Sequence, residues 1–262
     1  MNLYKGTKLE SIPGGASGAK LYQVKDYFGE DIIMKVETIL SEAETLAREV
    51  ELIKWLNGKV LVPSVLHFEQ VQKLDGNWEA MFVMSKLDGK NLKMWRHEHD
   101  KEEVAKLYGS ALRTLHLLPF DDCPVKVDLD DRLVEVRQKI DAGTVDTEDF
   151  EAQYKGVSLE SLWSQLVIKK PIDFDLVIAH GDYCLDNLMA ELDEGLKLIF
   201  TGFIDLGRGG VQDRYQDIAL ALRSVRKHLG QDYEEAFLEA YGLIEKLDHE
   251  KVMYYILLDE FF

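Results

Sequence analysis

The stretch His180-Gly-Asp-Tyr-Cys-Leu-Asp-Asn187 is the most informative part of this 262-residue chain about its fold. It directly follows the apolar run Leu176–Ala179, and a second polar cluster, Asp205-Leu-Gly-Arg-Gly-Gly210, follows the apolar run that ends at Ile204. Both runs have the composition of short β-strands. Loops that leave strand ends often carry ligand-binding groups, because the sheet fixes their position. A single aspartate in such a loop can bind a metal, accept a proton or merely cap the next turn.

The spacing of the residues within these two clusters indicates which of these roles the aspartates have. Asp182 and Asn187 are five positions apart, the offset of Asp and Asn in the kinase catalytic-loop pattern H-R-D-x-x-x-x-N, and Asp205 follows where that pattern places the aspartate of D-F-G. Upstream, Lys35 lies on the third strand candidate and Glu49 lies in the following helix. A lysine for the phosphates, a glutamate to orient it, an aspartate for the hydroxyl proton and an Asn-Asp pair for Mg²⁺ are the parts of ATP-dependent phosphoryl transfer. Each residue alone is weak evidence, but the five in this order predict that reaction.

Other chemical signatures are weaker. The loop that includes Gly14–Lys20 superficially resembles a P-loop but lacks the Gly-Lys-Ser/Thr ending. Ser17 in this loop either donates to a phosphate or is an ordinary turn serine. His97 and His99 are better explained as a solvated surface pair than as a zinc site. We expect His180 to brace its loop by a hydrogen bond.

Composition excludes several classes of protein. The chain is 46% hydrophobic and 30% charged, which supports a packed core. No apolar run approaches the roughly 18 residues of a membrane span, so we expect no membrane partner. The start, 1–5, has no apolar stretch for export, which predicts a cytoplasmic location. Cys123 and Cys184 could form one disulfide, but a reduced cytoplasmic protein is the better interpretation. We expect a monomer or a weak homodimer.

The net charge of −17 disfavours nucleic acid as a partner, because a nucleic-acid site needs positive charge. The charge is uneven, with a net −2 over 1–86 and a net −15 over 87–262. The segment Asp121–Glu151 alone holds 11 acidic and 4 basic residues. This excess either keeps the protein soluble or attracts a cationic ligand.

The order of predicted elements divides the chain into two lobes. Strands, one helix and further strands occupy 1–86, the helix beginning at the capping box of Ser41 and Glu44 and ending at Gly58. The polar segment Ser85–Gly89 connects this lobe to 87–262, where helical periodicity prevails. We therefore predict an α+β fold in which a small, β-rich N-terminal lobe (1–86) binds nucleotide and a larger, mainly helical C-terminal lobe (87–262) carries catalysis and binds substrate.

The chain resembles the aminoglycoside phosphotransferases, which share the protein-kinase-like fold, and most closely the aminoglycoside 3′-phosphotransferases, or kanamycin kinases. The resemblance covers nearly the whole chain. It implies ATP-dependent phosphorylation of a hydroxyl, expected to be the 3′ one, of a cationic aminoglycoside, and hence antibiotic resistance. The alternatives are a kinase of the same fold for another small hydroxylated amine or sugar, and a non-catalytic binding protein. The motifs that carry the resemblance are His180-Gly-Asp-x-x-x-x-Asn187, Gly202–Arg208, Asp217-Ile-Ala219 and the ending Tyr254–Phe262, together with Val62–Glu69 and Asp122-Cys-Pro124.

The resemblance also implies roles for individual residues. Asp182 is the catalytic base, and Asn187 and Asp205 are the Mg²⁺ ligands. Lys35 contacts the nucleotide phosphates and pairs with Glu49. Ser85 and Leu87 lie at the hinge, where backbone groups recognise adenine. The antibiotic pocket is lined by Glu148, Glu151, Asp259, Glu260 and the terminal carboxylate of Phe262, with Arg208 and Arg223 orienting carboxylates.

Three departures from the family pattern bear on specificity. Tyr183–Asp186 replaces the usual middle of the catalytic loop. Ile33 stands where some relatives have an aromatic residue that stacks on adenine, which leaves GTP as a possible donor. Val127 and Lys227 stand at pocket positions that are polar or acidic in relatives, so the set of accepted antibiotics is expected to differ.

Overall fold

A computed structural model of the protein describes residues 9–12, 19–27, 29–39, 45–74, 76–243 and 247–262. Ser17, most of its loop, and the predicted capping box at Ser41 and Glu44 lie outside the described residues. Within the described ranges, no helix is both long enough and apolar enough to cross a membrane. Cys123 and Cys184 are both free thiols.

The N-terminal part is a five-stranded antiparallel sheet with one helix. The strand order is β1-β2-β3-β5-β4, and the helix connects β3 to β4. The strands expected from 19 to 84 are confirmed, and Lys35 lies on the third strand of the sheet, as expected. The elements are β1 (Leu9–Ile12), β2 (Lys20–Tyr27), β3 (Glu30–Ile39), α1 (Thr45–Leu56), β4 (Val65–Gln72) and β5 (Trp78–Ser85).

Alternation along β3 decides which side chains face the rest of the protein. Ile32 and Met34 pack in a small cluster with Val83, while Ile33 packs against the main core. Because side chains of a strand point alternately to opposite faces, Lys35 lies on the same face as Ile33. The apolar stripe of α1 joins the same main core, so α1 and Lys35 lie on one side of the sheet.

The remainder of the chain is mainly helical, with two small antiparallel sheets of order β10-β7 and β6-β8-β9. The predicted helices and the two predicted strand runs are confirmed, whereas β6, α2, β8 and β10 were not predicted. These elements are β6 (Lys90–Asn91), α2 (Leu92–Trp95), α3 (Lys101–His116), α4 (Leu129–Ala142), α5 (Leu159–Ile168), β7 (Leu176–Ala179), β8 (Leu188–Leu192), β9 (Leu198–Phe203), β10 (Gly210–Asp213), α6 (Tyr215–His228), α7 (Glu234–Tyr241) and α8 (His249–Asp259).

Several helices begin where a polar side chain caps them. Asp100 and Asp248 each accept two backbone N–H groups at the starts of α3 and α8, and Asp128 and Ser158 each accept one at the starts of α4 and α5. Such caps pair N–H groups that have no partner within the helix. The division at residues 86 and 87 stays a prediction; β5 ends at Ser85, and the main core includes residues on both sides of it.

Close packing of α3 on α7 yields a test of the fold. A Cβ at Gly109 would lie 2.3 Å from the carbonyl oxygen of Phe237 and 3.0 Å from the backbone nitrogen of Tyr241. Gly→Ala inside a helix normally stabilises it by up to about 1 kcal/mol. Here we expect Gly109→Ala to lower the free energy of unfolding by about 1–3 kcal/mol, because the two helices must separate. Urea unfolding measures the change.

Ser110→Ala is the matched control for this variant. Ser110 is exposed and lies in the same helix, one position further on. We expect its effect to stay within about 0.5 kcal/mol. Equal stability of Gly109→Ala and the unmodified protein would contradict the packing of α3 on α7.

Candidate active site

Lys35 is the point at which the small sheet meets the larger lobe. Its Nζ lies 2.9 Å from Glu49 Oε2 on α1 and 2.8 Å from Asp205 Oδ1 in the loop after β9. The other carboxylate oxygen of Glu49 accepts the backbone N–H of Leu206 at 3.2 Å. Glu49 therefore joins Lys35 and the Asp205 loop, and three elements distant in sequence meet at one ammonium group.

Burial and charge act in opposite directions on these three groups. Burial disfavours the ammonium of Lys35, but Glu49 and Asp205 outweigh it and raise the lysine's pKa. Burial also opposes ionisation of Asp205, yet Lys35 holds the pKa of Asp205 below its ordinary value. The fully buried Glu49 has a raised pKa because desolvation exceeds the attraction of Lys35.

Asp182 and Asn187 are joined within the catalytic loop. Asn187 Nδ2 donates to the Asp182 backbone carbonyl at 2.9 Å and to Asp182 Oδ2 at 3.0 Å. The backbone carbonyl oxygen of Asn187 accepts the N–H of Ile204, the residue directly before Asp205. Because the Asn187 side-chain nitrogen faces Asp182, its side-chain oxygen is left as the atom that can ligate a cation.

The Asp182 carboxyl is desolvated. Burial raises its pKa, the nearby guanidinium of Arg208 draws it down again, and Asp259 adds to the rise. A carboxylate with a raised pKa is a stronger proton acceptor, which suits a general base.

Asp217, a residue to which the sequence analysis assigned no chemical role, positions the catalytic loop. It is fully buried in α6 and accepts the backbone N–H groups of His180 (2.6 Å) and Gly181 (2.8 Å). His116 of α3 lies with Nε2 3.0 Å from Asp217 and Nδ1 2.8 Å from the Tyr241 hydroxyl. The available signal was the motif at Asp217-Ile-Ala219, where an aspartate lies in an otherwise apolar helical run.

Further contacts fix the loop on both sides. Tyr108 and Tyr183 stack with ring centroids 4.5 Å apart, and each hydroxyl donates to the other residue's backbone carbonyl. Gly181 has φ 86°, and a Cβ there would lie 2.0 Å from the carbonyl oxygen of Arg208. The two polar loops of the sequence analysis therefore touch. His180 is fully buried with Nε2 2.9 Å from the Ile204 carbonyl oxygen, which fits the bracing role.

Asp205 stands in a conformation that side chains seldom adopt. Its φ is 61°, in the left-handed region, which costs a non-glycine residue free energy and is commonest at functional sites. In the described part of the chain, no group of three or more His, Cys, Asp or Glu residues could hold a metal ion. The magnesium site expected at Asn187 and Asp205 would have two protein ligands, a number that suits an ion that also takes substrate phosphates and water.

Ser64 holds the predicted hinge at Ser85 by two hydrogen bonds. The Ser85 N–H donates to the Ser64 carbonyl at 3.0 Å, and its hydroxyl accepts the Ser64 N–H at 2.8 Å. These two bonds occupy the Ser85 N–H and one lone pair of its hydroxyl. Leu87 follows at a half-buried position.

The predicted substrate residues form a second cluster, at the C-terminus. Arg208 lies 3.1 Å from Asp259, and Arg223 pairs with Asp259 and lies 3.6 Å from Glu260. Glu260 Oε2 accepts the Glu151 N–H at 2.8 Å. These contacts fit the prediction that the two arginines orient carboxylates.

Glu148 is the predicted substrate residue that lies apart. It is exposed, its N–H donates to Asp146, and it lines a cavity of about 530 Å³ with Phe150 and Tyr154–Ser158. Among the described residues, no hydrogen bond or ion pair joins Glu148 to the C-terminal cluster. The segment that follows Glu148 does join that cluster, through Glu151.

A lysine, a candidate base and a candidate cation site, brought together where a small sheet meets a helical lobe, are typical of a kinase-like phosphotransferase. Residues 8–255 match the model of the phosphotransferase enzyme family. The chain is 41% identical to an aminoglycoside 3′-phosphotransferase from Niallia circulans, over all of this chain and 95% of the relative. The chain therefore belongs to the phosphotransferase enzyme family.

Solved structures agree with this assignment. A crystal structure of an aminoglycoside 3′-phosphotransferase of type VIII matches with a TM-score of 0.83 and 30% identity, covering all of this chain and 96% of that one. An aminoglycoside phosphotransferase from Streptomyces rimosus, in complex with ADP and streptomycin, matches in fold with a TM-score of 0.74 at 22% identity, covering 97% of this chain and 92% of that one.

Removing the cation at the junction tests the electrostatics of the site. In Lys35→Met, the buried Glu49 loses its cation, and we expect a loss of about 3–5 kcal/mol of unfolding free energy near pH 8. Burial raises the pKa of Glu49, so its protonation at lower pH removes the unpaired charge. The loss should therefore shrink as the pH falls, which urea unfolding at about pH 8 and about pH 5 measures.

The double variant Lys35→Met/Glu49→Gln controls for lost packing. Because it has no buried charge at residue 49, its loss should be smaller near pH 8 and nearly independent of pH. A deficit of Lys35→Met that is the same at both pH values would contradict the pairing.

Proposed function

We propose that this protein transfers the γ-phosphoryl group of ATP to a hydroxyl, the 3′ one, of aminoglycoside antibiotics such as kanamycin, and so confers resistance to them. The proposal rests on one observation: Lys35 from the small sheet meets Asp205, 170 residues later, at 2.8 Å, beside the loop that carries Asp182. The names of the full-length relatives support the substrate class.

Direct in-line transfer fits the residues at the cleft. Asp182 is placed to orient the substrate hydroxyl and accept its proton, which leaves late if the transition state is loose. Asn187 holds the Asp182 carboxylate at 3.0 Å, so one oxygen has a fixed direction. Lys35 would contact phosphate oxygens while Glu49 keeps its ammonium oriented.

Asn187 and Asp205 are the residues that would hold Mg²⁺. The donor set of one carboxylate and one amide oxygen fits a hard cation that keeps other positions for phosphate and water. When bound there, the ion supplies positive charge that offsets the charge developing on the transferred group. In the structure, the ammonium of Lys35 balances the Asp205 carboxylate instead.

ATP is the proposed donor. The Streptomyces rimosus structure of the same fold was solved in complex with ADP, which supports an adenine nucleotide as donor. Ile33, half-buried on the cleft face of β3, offers an aliphatic rather than an aromatic surface to a base. GTP therefore remains a second donor to be tested beside ATP.

Local charge explains how a polycationic substrate would be held. Asp259 is already paired with two arginines, so its net attraction for an amine is reduced. The exposed acids of the Glu148 segment remain for the ammonium groups, whereas Glu260 already lies 3.6 Å from Arg223. Each pair at about 4 Å would contribute up to roughly 4 kcal/mol of attraction before desolvation costs.

Activity of the purified protein tests the function. With MgATP and kanamycin, we expect ADP release and a product heavier by one phosphate in mass spectrometry. Asp182→Asn should lower kcat by about 10²–10⁴-fold, because the base is lost. NMR of the product identifies the modified hydroxyl.

Two controls accompany this assay. The exposed Asp186→Asn, in the same loop, should retain activity. Phosphorylation of other hydroxylated amines, with none of any aminoglycoside, would favour the alternative kinase; full turnover by Asp182→Asn would remove Asp182 from its role.

The pH dependence of kcat tests the environment of Asp182. Because the base acts deprotonated, kcat should rise with pH through its pKa, which burial has raised. Arg208 lowers that pKa, so Arg208→Gln should move the acid limb of the profile to higher pH. Arg226→Gln, on the exposed side of α6, is the control and should leave the limb in place. An unshifted limb in Arg208→Gln would contradict this electrostatic coupling.

A further inference from the structure

Thr201 is the extra residue of a bulge in β9. On one side of Thr201, Gly202 lies opposite Met189 of β8. On the other side, Phe200 lies opposite Ala190, the very next residue of β8, so in this register Thr201 has no counterpart there. A bulge interrupts the pairing of two strands and redirects a side chain, and bulges are frequent next to active sites. The direction that the Thr201 side chain takes therefore calls for an explanation.

The hydroxyl of Thr201 reaches the segment that connects the two lobes. Its Oγ1 donates to the backbone carbonyl oxygen of Asp88 at 2.8 Å. Asp88 lies in the linker, residues 86–89, which follows β5 and precedes β6. The bond joins residues 113 positions apart, so it forms only when the linker lies against β9.

The linker packs closely against β8 and β9 on both sides of Asp88. Before it, Leu87 approaches β9 so closely that a Cβ at Gly202 would lie 2.5 Å from Leu87 Cδ1. After it, a Cβ at Gly89 would lie 2.1 Å from the carbonyl oxygen of Ala190 on β8. The path of the linker is therefore set by these two strands of the larger lobe.

The pairing of β3 with β5 places the linker beside the expected position of a nucleotide base. Ile33 and Lys35 lie on one face of β3, and they pair with Met84 and Phe82 of β5. Moving from Lys35 to Ile33 thus leads toward the end of β5, where the linker begins. A nucleotide with its phosphates at Lys35 would therefore have its base near Ile33 and the linker.

A backbone that recognises a base must keep its N–H and C=O groups in fixed directions, because hydrogen bonds weaken steeply when they are misaligned. We propose that Thr201 is a positioning residue for the nucleotide base, because its bond to Asp88 fixes the linker in the path from which backbone groups meet the base. This inference rests on the proposed function. It extends that function by assigning part of the affinity for the phosphate donor to a residue of β9, four positions before Asp205.

The hydroxyl is the part of Thr201 that packing does not need. The bulge brings the rings of Phe200 and Phe203 to 4.6 Å between centroids, although a spacing of three in a regular strand would place these side chains on opposite faces. A valine at this position is as suited to a strand as threonine and lacks only the donor. Thr201→Val and Thr201→Ser therefore separate the hydrogen bond from the packing.

Binding of ADP to the full-length protein, measured by calorimetry with Mg²⁺ present, tests the inference without an aminoglycoside. Thr201→Val should raise the Kd of ADP by about fivefold, the effect of losing one hydrogen bond. Thr201→Ser keeps a hydroxyl and should stay within about twofold of the unmodified protein. In steady-state assays, Thr201→Val should raise the KM for ATP by a similar factor and leave kcat and the KM for kanamycin within about twofold.

Magnesium tripolyphosphate separates the base from the phosphates. This probe carries phosphates but no base, and its affinity is measured by competition with ADP. Because Lys35 and Asp205 are intact in Thr201→Val, the affinity of this variant for tripolyphosphate should be unchanged.

Thr114→Val is the matched control. Thr114 Oγ1, on the exposed side of α3, also donates to a backbone carbonyl oxygen, that of Ser110, at 3.0 Å. Its removal takes the same kind of bond from a different element. It should change neither the Kd of ADP nor the affinity for tripolyphosphate.

The outcomes distinguish this inference from the proposed function. No ADP release with any aminoglycoside, by a protein that binds ADP, would contradict the proposed function, while weaker binding of ADP alone by Thr201→Val would still establish the positioning role. An unchanged Kd of ADP in Thr201→Val, an equal weakening of ADP and tripolyphosphate, or the same loss in Thr201→Ser or Thr114→Val would overturn the inference. So would the absence of ADP binding by the unmodified protein.

Discussion

The ammonium group of Lys35 between two carboxylates is the interaction on which the rest of the site depends. Glu49 comes from α1 and Asp205 from the loop after β9, so one cation brings together parts of the chain separated by 170 residues. All three groups are costly to bury alone, and each is tolerated because the others are present. The arrangement leaves a lysine and an aspartate facing the same space, which is what binding a triphosphate and its metal ion requires.

A second buried acid, Asp217, positions the catalytic loop beside this junction. Asp217 holds the backbone of the catalytic loop by two N–H groups, and His116 links Asp217 to Tyr241. Within the loop, the partners of Asp217 are backbone groups, so Asp217 fixes the path of the loop and not the identity of its side chains. The side chains of Asp182 and Asn187 are positioned in consequence, and Asn187 orients the base directly. The proposed chemistry thus depends on two sets of polar contacts. Those of Asp217 fix the backbone of the loop, and those of Asn187 fix the side chain of Asp182.

The charge around Asp259 and Glu260 differs in sign balance from the net charge of residues 87–262 as a whole. Residues 87–262 carry a net −15, yet the C-terminal cluster contains Arg132, Lys139, Arg208 and Arg223 close to Asp259 and Glu260. The surrounding acidic field can attract a polycation from a distance. In the proposed pocket, the paired carboxylates would mainly provide shape, and the unpaired ones would provide specific contacts. Long-range attraction and short-range recognition are therefore separate properties of this lobe.

The sequence by itself determined the class of fold, the main helices and strands, and the five residues of the phosphoryl-transfer pattern, because periodicity and residue spacing are local properties of the chain. It missed the short strands β6, β8 and β10, which form by pairing with other strands, and the one-turn helix α2, which begins at the Asn91 cap. The position of Asp217 beneath the catalytic loop, the separation of Glu148 from the C-terminal cluster, and the pairing of Asp259 with two arginines were decided by the tertiary structure. Each depends on which side chains meet across long sequence distances, and burial then sets the strength of those contacts.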